Sequence, residues 1–125
     1  MLLKIDFQSD TPIYLQLKNQ IVYGIAKGEL QPEESLPSVR QMAEDIGINL
    51  HTVNKGYNLL KEEGYVTIDR RRGAVINTIP IRKNDYAENS LREELKNIVA
   101  EAYCFGVSED EFIEICKNLY NEYKK

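Results

Sequence analysis

The chain is short of the residues from which metal centres and active sites are built. Its 125 residues include one histidine, His51, and two cysteines, Cys104 and Cys116. The cysteines stand twelve positions apart on apolar stretches with no histidine near them. That spacing suits neither a paired-thiol nor a mixed Cys/His zinc site. Free cysteine usually behaves as a small buried hydrophobe, which is the expected state of both; a redox pair is the alternative. No phosphate-cradling glycine loop, nucleophile motif or paired acid and base is visible. A lone histidine supplies neither a metal cage nor a base with its orienting partner. No enzyme activity, metal or cofactor is therefore expected.

Long apolar runs are also missing. None approaches the roughly 18 residues needed to span a bilayer, and the opening MLLKIDFQSD meets an acid at Asp6, so no signal-peptide core is expected. The expectation is a cytoplasmic protein without membrane contact. With 42% hydrophobic and 29% charged residues and no low-complexity run, the chain should fold as one domain, or one domain with a small appendage.

Positive charge is in deficit overall, with a formal net charge of −4. The deficit is uneven: residues 1–80 carry a net −1 and residues 81–125 a net −3. Residues 49–61 contain Lys55 and Lys61 and no acid, and residues 70–83 contain Arg70, Arg71, Arg72, Arg82 and Lys83, again with no acid. A binding surface responds to the local field more than to the total charge.

The pattern of elements is largely helical. Pro12 suits a helix first turn, Ile13, Leu17, Ile21 and Ile25 repeat at helical spacing, and Gly28 closes the helix. ELQPEESLP (29–37) reads as a polar connection. Ser38 opens a short second helix, with Gln41 placed to complete a capping box, and Gly47 stops it. Asn49 is a good N-cap for a third helix that runs to Gly64. YVTID (65–69) and AVIN (74–77) flank RRRG (70–73) as a hairpin with a basic tip. A linker follows around Pro80. Leu91, Leu95, Ile98, Val99, Ala102 and Tyr103 mark a fourth helix that ends at Gly106. Ser108 and Glu111 form a capping box for a fifth, striped by Phe112, Ile113, Cys116, Leu119, Tyr120 and Tyr123.

The third helix carries the information about function. At about 100° per residue, His51, Asn54, Lys55 and Asn58 lie within about 60° of one direction, while Val53, Gly56, Tyr57 and Leu60 point the other way. The outer set suits base edges and phosphates: asparagine pairs bidentately with adenine, and lysine reaches guanine or phosphate. A short helix, a glycine turn and a helix of this kind read as a helix-turn-helix. The arginine-tipped hairpin after it can lie along a neighbouring groove and neutralise phosphates. A merely solvated polar face is the competing reading. His51 is placed for a base or phosphate contact, or is simply solvated. Gly56 and Gly24 are mid-helix glycines on inward faces, so close backbone approach between helices one and three is expected, with simple tolerance the alternative.

These same stretches resemble a known family. TPIYLQLKNQI, followed by GEL.P...LPSVRQMAEDIGIN..TVNKGYNLLKEEGYV, looks like the winged-helix DNA-binding domain of GntR-family bacterial transcription regulators, over about residues 6–78. SLREELK...AEAY.FGVSEDEFIEI resembles the two-helix tail of the YtrA subfamily. The resemblance implies a mainly α fold with a small β-hairpin: a winged helix-turn-helix domain over 1–80 and a dimerising helical hairpin over 81–125. It implies DNA contact by Arg40 from helix two, with Ser38 capping that helix and reaching a phosphate. It implies reading of DNA by Asn49, Leu50, His51, Thr52 and Asn54, beside Lys55 and Asn58, and a wing tip formed by Arg70, Arg71, Arg72 and Gly73. Asn54 and Leu50 depart from residues common in relatives, so the operator sequence does not transfer. YtrA-like regulators are mostly repressors, often of ABC-transporter operons.

The tail is too short to enclose a drug-sized pocket. Leu91, Leu95, Ile98, Val99, Ala102, Phe112, Ile115, Cys116, Leu119 and Tyr123 should bury against a second copy; folding back on the same chain is the alternative. A homodimer would set two recognition helices on a palindromic operator in double-stranded DNA, with half-sites about 34 Å apart or a multiple of that. No effector domain is evident. Tyr103, Phe105, Phe112, Tyr120 and Tyr123 are expected to pack as core, or else to line a small effector pocket. The competing function is a winged-helix protein-interaction module without DNA binding, which would not be expected to keep Arg40, Lys55 and Arg70–Arg72.

Overall fold

Local sequence signals set most helix ends in the computed structural model, which describes residues 3–78 and 86–124. The linker expected around Pro80, with Arg82 and Lys83, lies outside these residues. The chain divides into two units, Met1–Ile81 and Arg82–Lys125.

In the first unit, α1 spans Ile13–Lys27. Pro12 is its N-cap rather than a first-turn residue, because its ψ of 144° is extended. Its carbonyl accepts from the Leu15 and Gln16 amides, both at 3.0 Å. Gly28, at φ 82°, closes the helix in the left-handed region that glycine enters without steric cost. The Gln16 side chain fastens the segment before α1: its Nε2 donates to the Asp6 and Thr11 carbonyls, and its Oε1 accepts from the Asp6 amide.

Helix α2 spans Val39–Ile46. The Ser38 hydroxyl accepts from the Gln41 amide at 3.1 Å, but only half of the expected capping box forms. The Gln41 side chain does not reach back to accept from the Ser38 amide; its Nε2 points one turn on and donates to the Asp45 carboxylate at 2.7 Å, a charge-assisted hydrogen bond. Helix α3 spans Leu50–Glu62, capped by the Asn49 side chain, which accepts from the His51 amide at 2.7 Å.

Strands β1 (Val66–Asp69) and β2 (Gly73–Ile76) pair antiparallel with Val66 opposite Ile76 and Asp69 opposite Gly73. The stretch 29–37, read from sequence as a connection, is partly sheet-like. The Glu33 amide donates to the Ile76 carbonyl, Ile76 to Glu34, and Leu36 to Ala74, at 2.8 to 2.9 Å. Ser35 and Val75 form a β-bridge. A third extended segment therefore satisfies the outer edge of β2, and Leu30 and Leu36 are buried. Proline and charge in this stretch hid the pairing, because both are common on edge strands.

Leu17, Ile21, Val53, Leu60 and Ile76 are fully enclosed, with Tyr57, Met42 and Val66 beside them. Burial of each aliphatic side chain contributes about 2 kcal/mol. Gly56 lies in the contact between α1 and α3. A Cβ there would meet Leu17 Cδ2 at 3.0 Å and the Tyr14 carbonyl oxygen at 3.1 Å. The close approach expected at Gly56 is thus present. Gly24 is buried, and its carbonyl accepts from the Glu29 and Leu30 amides.

In the second unit a π-helical turn, Tyr86–Leu91, leads into α4 (Arg92–Cys104). Gly106, at φ 80°, turns the chain, and α5 (Glu109–Asn121) follows. Here both halves of the capping box form: the Ser108 hydroxyl accepts from the Glu111 amide, and the Glu111 carboxylate accepts from the Ser108 amide. Neither helix has a buried residue. Two short helices by themselves enclose no interior. Tyr103, Phe105, Tyr120 and Tyr123, expected to pack as core, are therefore exposed, as is Cys104, expected to be buried; Phe112 and Cys116 are half-buried.

Candidate nucleic-acid interface

The inward face of α3 is held at several points. Val53, Gly56, Tyr57 and Leu60 are buried. The Tyr57 hydroxyl donates to the Pro37 carbonyl at 2.7 Å, immediately before the Ser38 cap of α2. Burial pushes the Tyr57 phenol far above its usual range, because a phenolate there would lose its hydration.

The opposite face is open. His51, Asn54, Lys55 and Asn58 are exposed, Leu50 is 41% exposed, and Thr52 is half-buried. Asn49 is exposed, but its side-chain oxygen is occupied by the His51 amide, leaving its NH2 as the free function. Ser38 likewise uses an oxygen lone pair for the cap and keeps its hydroxyl proton to donate. Arg40 is exposed on the first turn of α2, with no ion pair or hydrogen bond of its side chain among the described residues.

Helix α1 supplies a neighbour that the periodicity of α3 alone does not reveal. The Lys55 ammonium stands 4.2 Å above the centre of the Tyr14 ring, a cation–π distance. Tyr14 and Lys55 line one shallow concavity with His51, Asn54, Asn58, Leu59 and Glu62. Glu62 brings an acid to the end of an otherwise acid-free helix face.

The wing tip is shaped by Asp69. Its Oδ1 accepts from the Arg71 amide at 2.8 Å and the Arg72 amide at 3.0 Å. These hydrogen bonds, with a smaller contribution from the Arg72 charge, hold its carboxyl below the usual carboxylate range. Gly73, at φ 75°, returns the chain into β2. The three arginines differ. Arg72 is bound to Glu33 through its carboxylate, at 3.3 Å, and its carbonyl. Arg70 and Arg71 are exposed, and their side chains have no ion pair or hydrogen bond among the described residues. Glu33, Asp69 and Tyr14 were not singled out from sequence. Only Asp69, two residues before the amides it caps, carried a local signal, that of an Asx turn.

Of the residues expected in dimerisation, Leu91, Leu95, Ile98, Val99, Ile115, Leu119 and Tyr123 are exposed, and Ala102, Phe112 and Cys116 are half-buried. Among the described residues, no group of three His, Cys, Asp or Glu is placed to hold a metal ion, and no helix is long and apolar enough to cross a membrane.

Comparison with known proteins converges on one family. The profile of bacterial regulatory proteins of the gntR family matches residues 13–76. The HTH-type transcriptional repressor YtrA of Bacillus subtilis is 33% identical, over 98% of this chain and 95% of its own length. The structure of YtrA from Sulfolobus acidocaldarius, a GntR-family transcription factor, is 38% identical with a TM-score of 0.66, over 83% of this chain and 99% of that one. A transcriptional antiterminator from Listeria monocytogenes is 25% identical with a TM-score of 0.89, over 100% of this chain and 95% of that one. With a helix-turn-helix whose second helix is open on its polar face, a basic wing and this kinship along nearly its whole length, the chain belongs to the GntR family of DNA-binding bacterial transcription regulators, and within it is YtrA-like.

Proposed function

We propose that the chain acts in the cytoplasm as a repressor, occupying a palindromic operator in double-stranded DNA as a homodimer. One observation carries this reading. The outward face of α3 is polar and exposed, while its inward face is packed through Gly56 and hydrogen-bonded through Tyr57. A rigid helix with an exposed polar face suits the major groove. Asn49, Leu50, His51, Thr52 and Asn54 meet base edges and the nearby backbone, with Lys55 and Asn58 beside them. Arg40 and Ser38 approach from the start of α2. The wing tip, Arg70 to Gly73, follows the adjacent groove.

The unit Arg82–Lys125 is the dimerising part in this proposal. Its helices have no buried residue within one chain, yet carry Leu91, Leu95, Ile98, Val99, Ile115, Leu119 and Tyr123 exposed. Ala102, Phe112 and Cys116 complete the apolar seam, and a second copy removes both stripes from water at once. An ABC-transporter operon is the proposed target, by analogy with the subfamily. Repression follows from occlusion of the promoter.

Binding to DNA fragments from upstream of the chain's own gene, measured across a salt series, tests this reading. A steep negative slope and a specific complex weakened by Arg40→Ala are expected. Arg70→Ala and Arg71→Ala should flatten the slope. Binding indifferent to all three changes would sink it.

A further inference from the structure

We propose that Glu33 is a positioning residue of the wing, holding Arg72 as a strut and leaving Arg70 and Arg71 as the phosphate ligands. This rests on the reading that the wing lies against DNA.

Three identical side chains in a row have unequal surroundings. Arg72 Nη1 lies 3.3 Å from Glu33 Oε2, and Nη2 donates to the Glu33 carbonyl. One residue thus engages both prongs of the guanidinium fork, 39 positions away in sequence. Glu33 is also unusual in its backbone: it is the only non-glycine among the described residues with a positive φ, 72°. Its amide donates to the Ile76 carbonyl on β2, so the residue that grips the tip is itself fastened to the wing's edge. Asp69 fixes the Arg71 and Arg72 amides from the other end of the loop. Arg70 and Arg71 project from this frame with no side-chain partner among the described residues.

A phosphate ligand and a strut are separable by salt. Each phosphate neutralised contributes about 0.9 to the slope of log K against log salt. The probe is a short mixed-sequence DNA duplex, with the intact chain and each variant. Arg70→Ala and Arg71→Ala should each flatten the slope by about 0.9. Arg72→Ala should lower affinity by a similar factor at every salt concentration, with the slope kept. Arg72→Lys keeps the charge but not the fork, and should resemble Arg72→Ala. Glu33→Gln removes the ion pair and leaves Arg72 only the neutral carbonyl contact, and should loosen Arg72 and steepen the slope by up to about 0.9.

If Arg72→Ala flattens the slope as much as Arg70→Ala, Arg72→Lys restores it and Glu33→Gln changes nothing, the division of roles is overturned while DNA binding by the wing stands. If Arg70→Ala and Arg71→Ala leave the slope of the parent protein untouched, the reading of the wing itself fails. Thermal melting of Glu33→Ala, Arg72→Ala and the double variant checks the contact in free protein. Non-additive shifts support the strut and additive ones overturn it.

Discussion

The Tyr57 hydroxyl donates to the Pro37 carbonyl at 2.7 Å, tying the middle of α3 to the residue before the α2 cap. The same bond that completes the core therefore sets where Ser38 and Arg40 stand relative to His51 and Asn54. Tyr57→Phe keeps the ring and removes the bond, so stability should fall by about 1 kcal/mol. Operator affinity should fall with it, because the α2 N-terminus loses its tether. Melting and binding on one preparation check both. Affinity unchanged despite lowered stability would show that the tether is structural only.

The same phenol makes a pH prediction. Burial raises its folded pKa above the unfolded value, so its contribution is fully present below about pH 10, the unfolded pKa, and is lost as pH rises beyond it. Wild type should show an alkaline loss of stability above about pH 10 that Tyr57→Phe reduces. Denaturant midpoints over an alkaline series measure the difference, and identical curves would contradict the assignment.

Gly56→Ala sets two terms against each other. Alanine gains about 1 kcal/mol of helix propensity, but its methyl would stand 3.1 Å from the Tyr14 carbonyl oxygen, which cannot rotate away, and 3.0 Å from Leu17 Cδ2. Overpacking commonly costs about 1–3 kcal/mol. A net loss of about 1 kcal/mol is expected, seen as a lower melting temperature; an unchanged or raised value would sink the close-packing account.

Asp69→Ala removes the acceptor for two amides at the wing tip. Faster hydrogen exchange at Arg71 and Arg72 is expected, with little change in global melting. The depressed carboxyl pKa implies that this support is present above about pH 4 and is lost as the pH falls through the lower folded value. Exchange at these amides that ignores both the substitution and acidification would rule out the capping role.

For the tail, Leu95→Glu or Leu119→Glu places a charge in an exposed apolar stripe. Sedimentation should then show a monomer where the parent is a dimer, and operator affinity should drop because two half-sites no longer bind together. A monomeric parent at micromolar concentration would defeat the dimer proposal.

Much of the local structure was determined by the sequence by itself, because caps and turns act within a few residues. Ser38, Asn49 and Ser108 accept from amides two or three positions ahead, and Gly28 and Gly106 supply positive φ where helices end. Periodicity also sorted α3 into faces, since burial there follows the 3.6-residue repeat. What touches those faces was decided only by tertiary structure. Tyr14 beneath Lys55, the Tyr14 carbonyl against Gly56, Pro37 accepting from Tyr57, residues 33–36 along β2, and Glu33 gripping Arg72 all join positions far apart in sequence. Such pairs leave no spacing to read. Gln41 shows the limit at short range: the sequence placed both the Ser38 amide and the Asp45 carboxylate within its reach, and in the folded helix its side chain turns to donate to Asp45. Composition named the three arginines of the wing, but only the chain's return past Glu33 made one of them different from the other two.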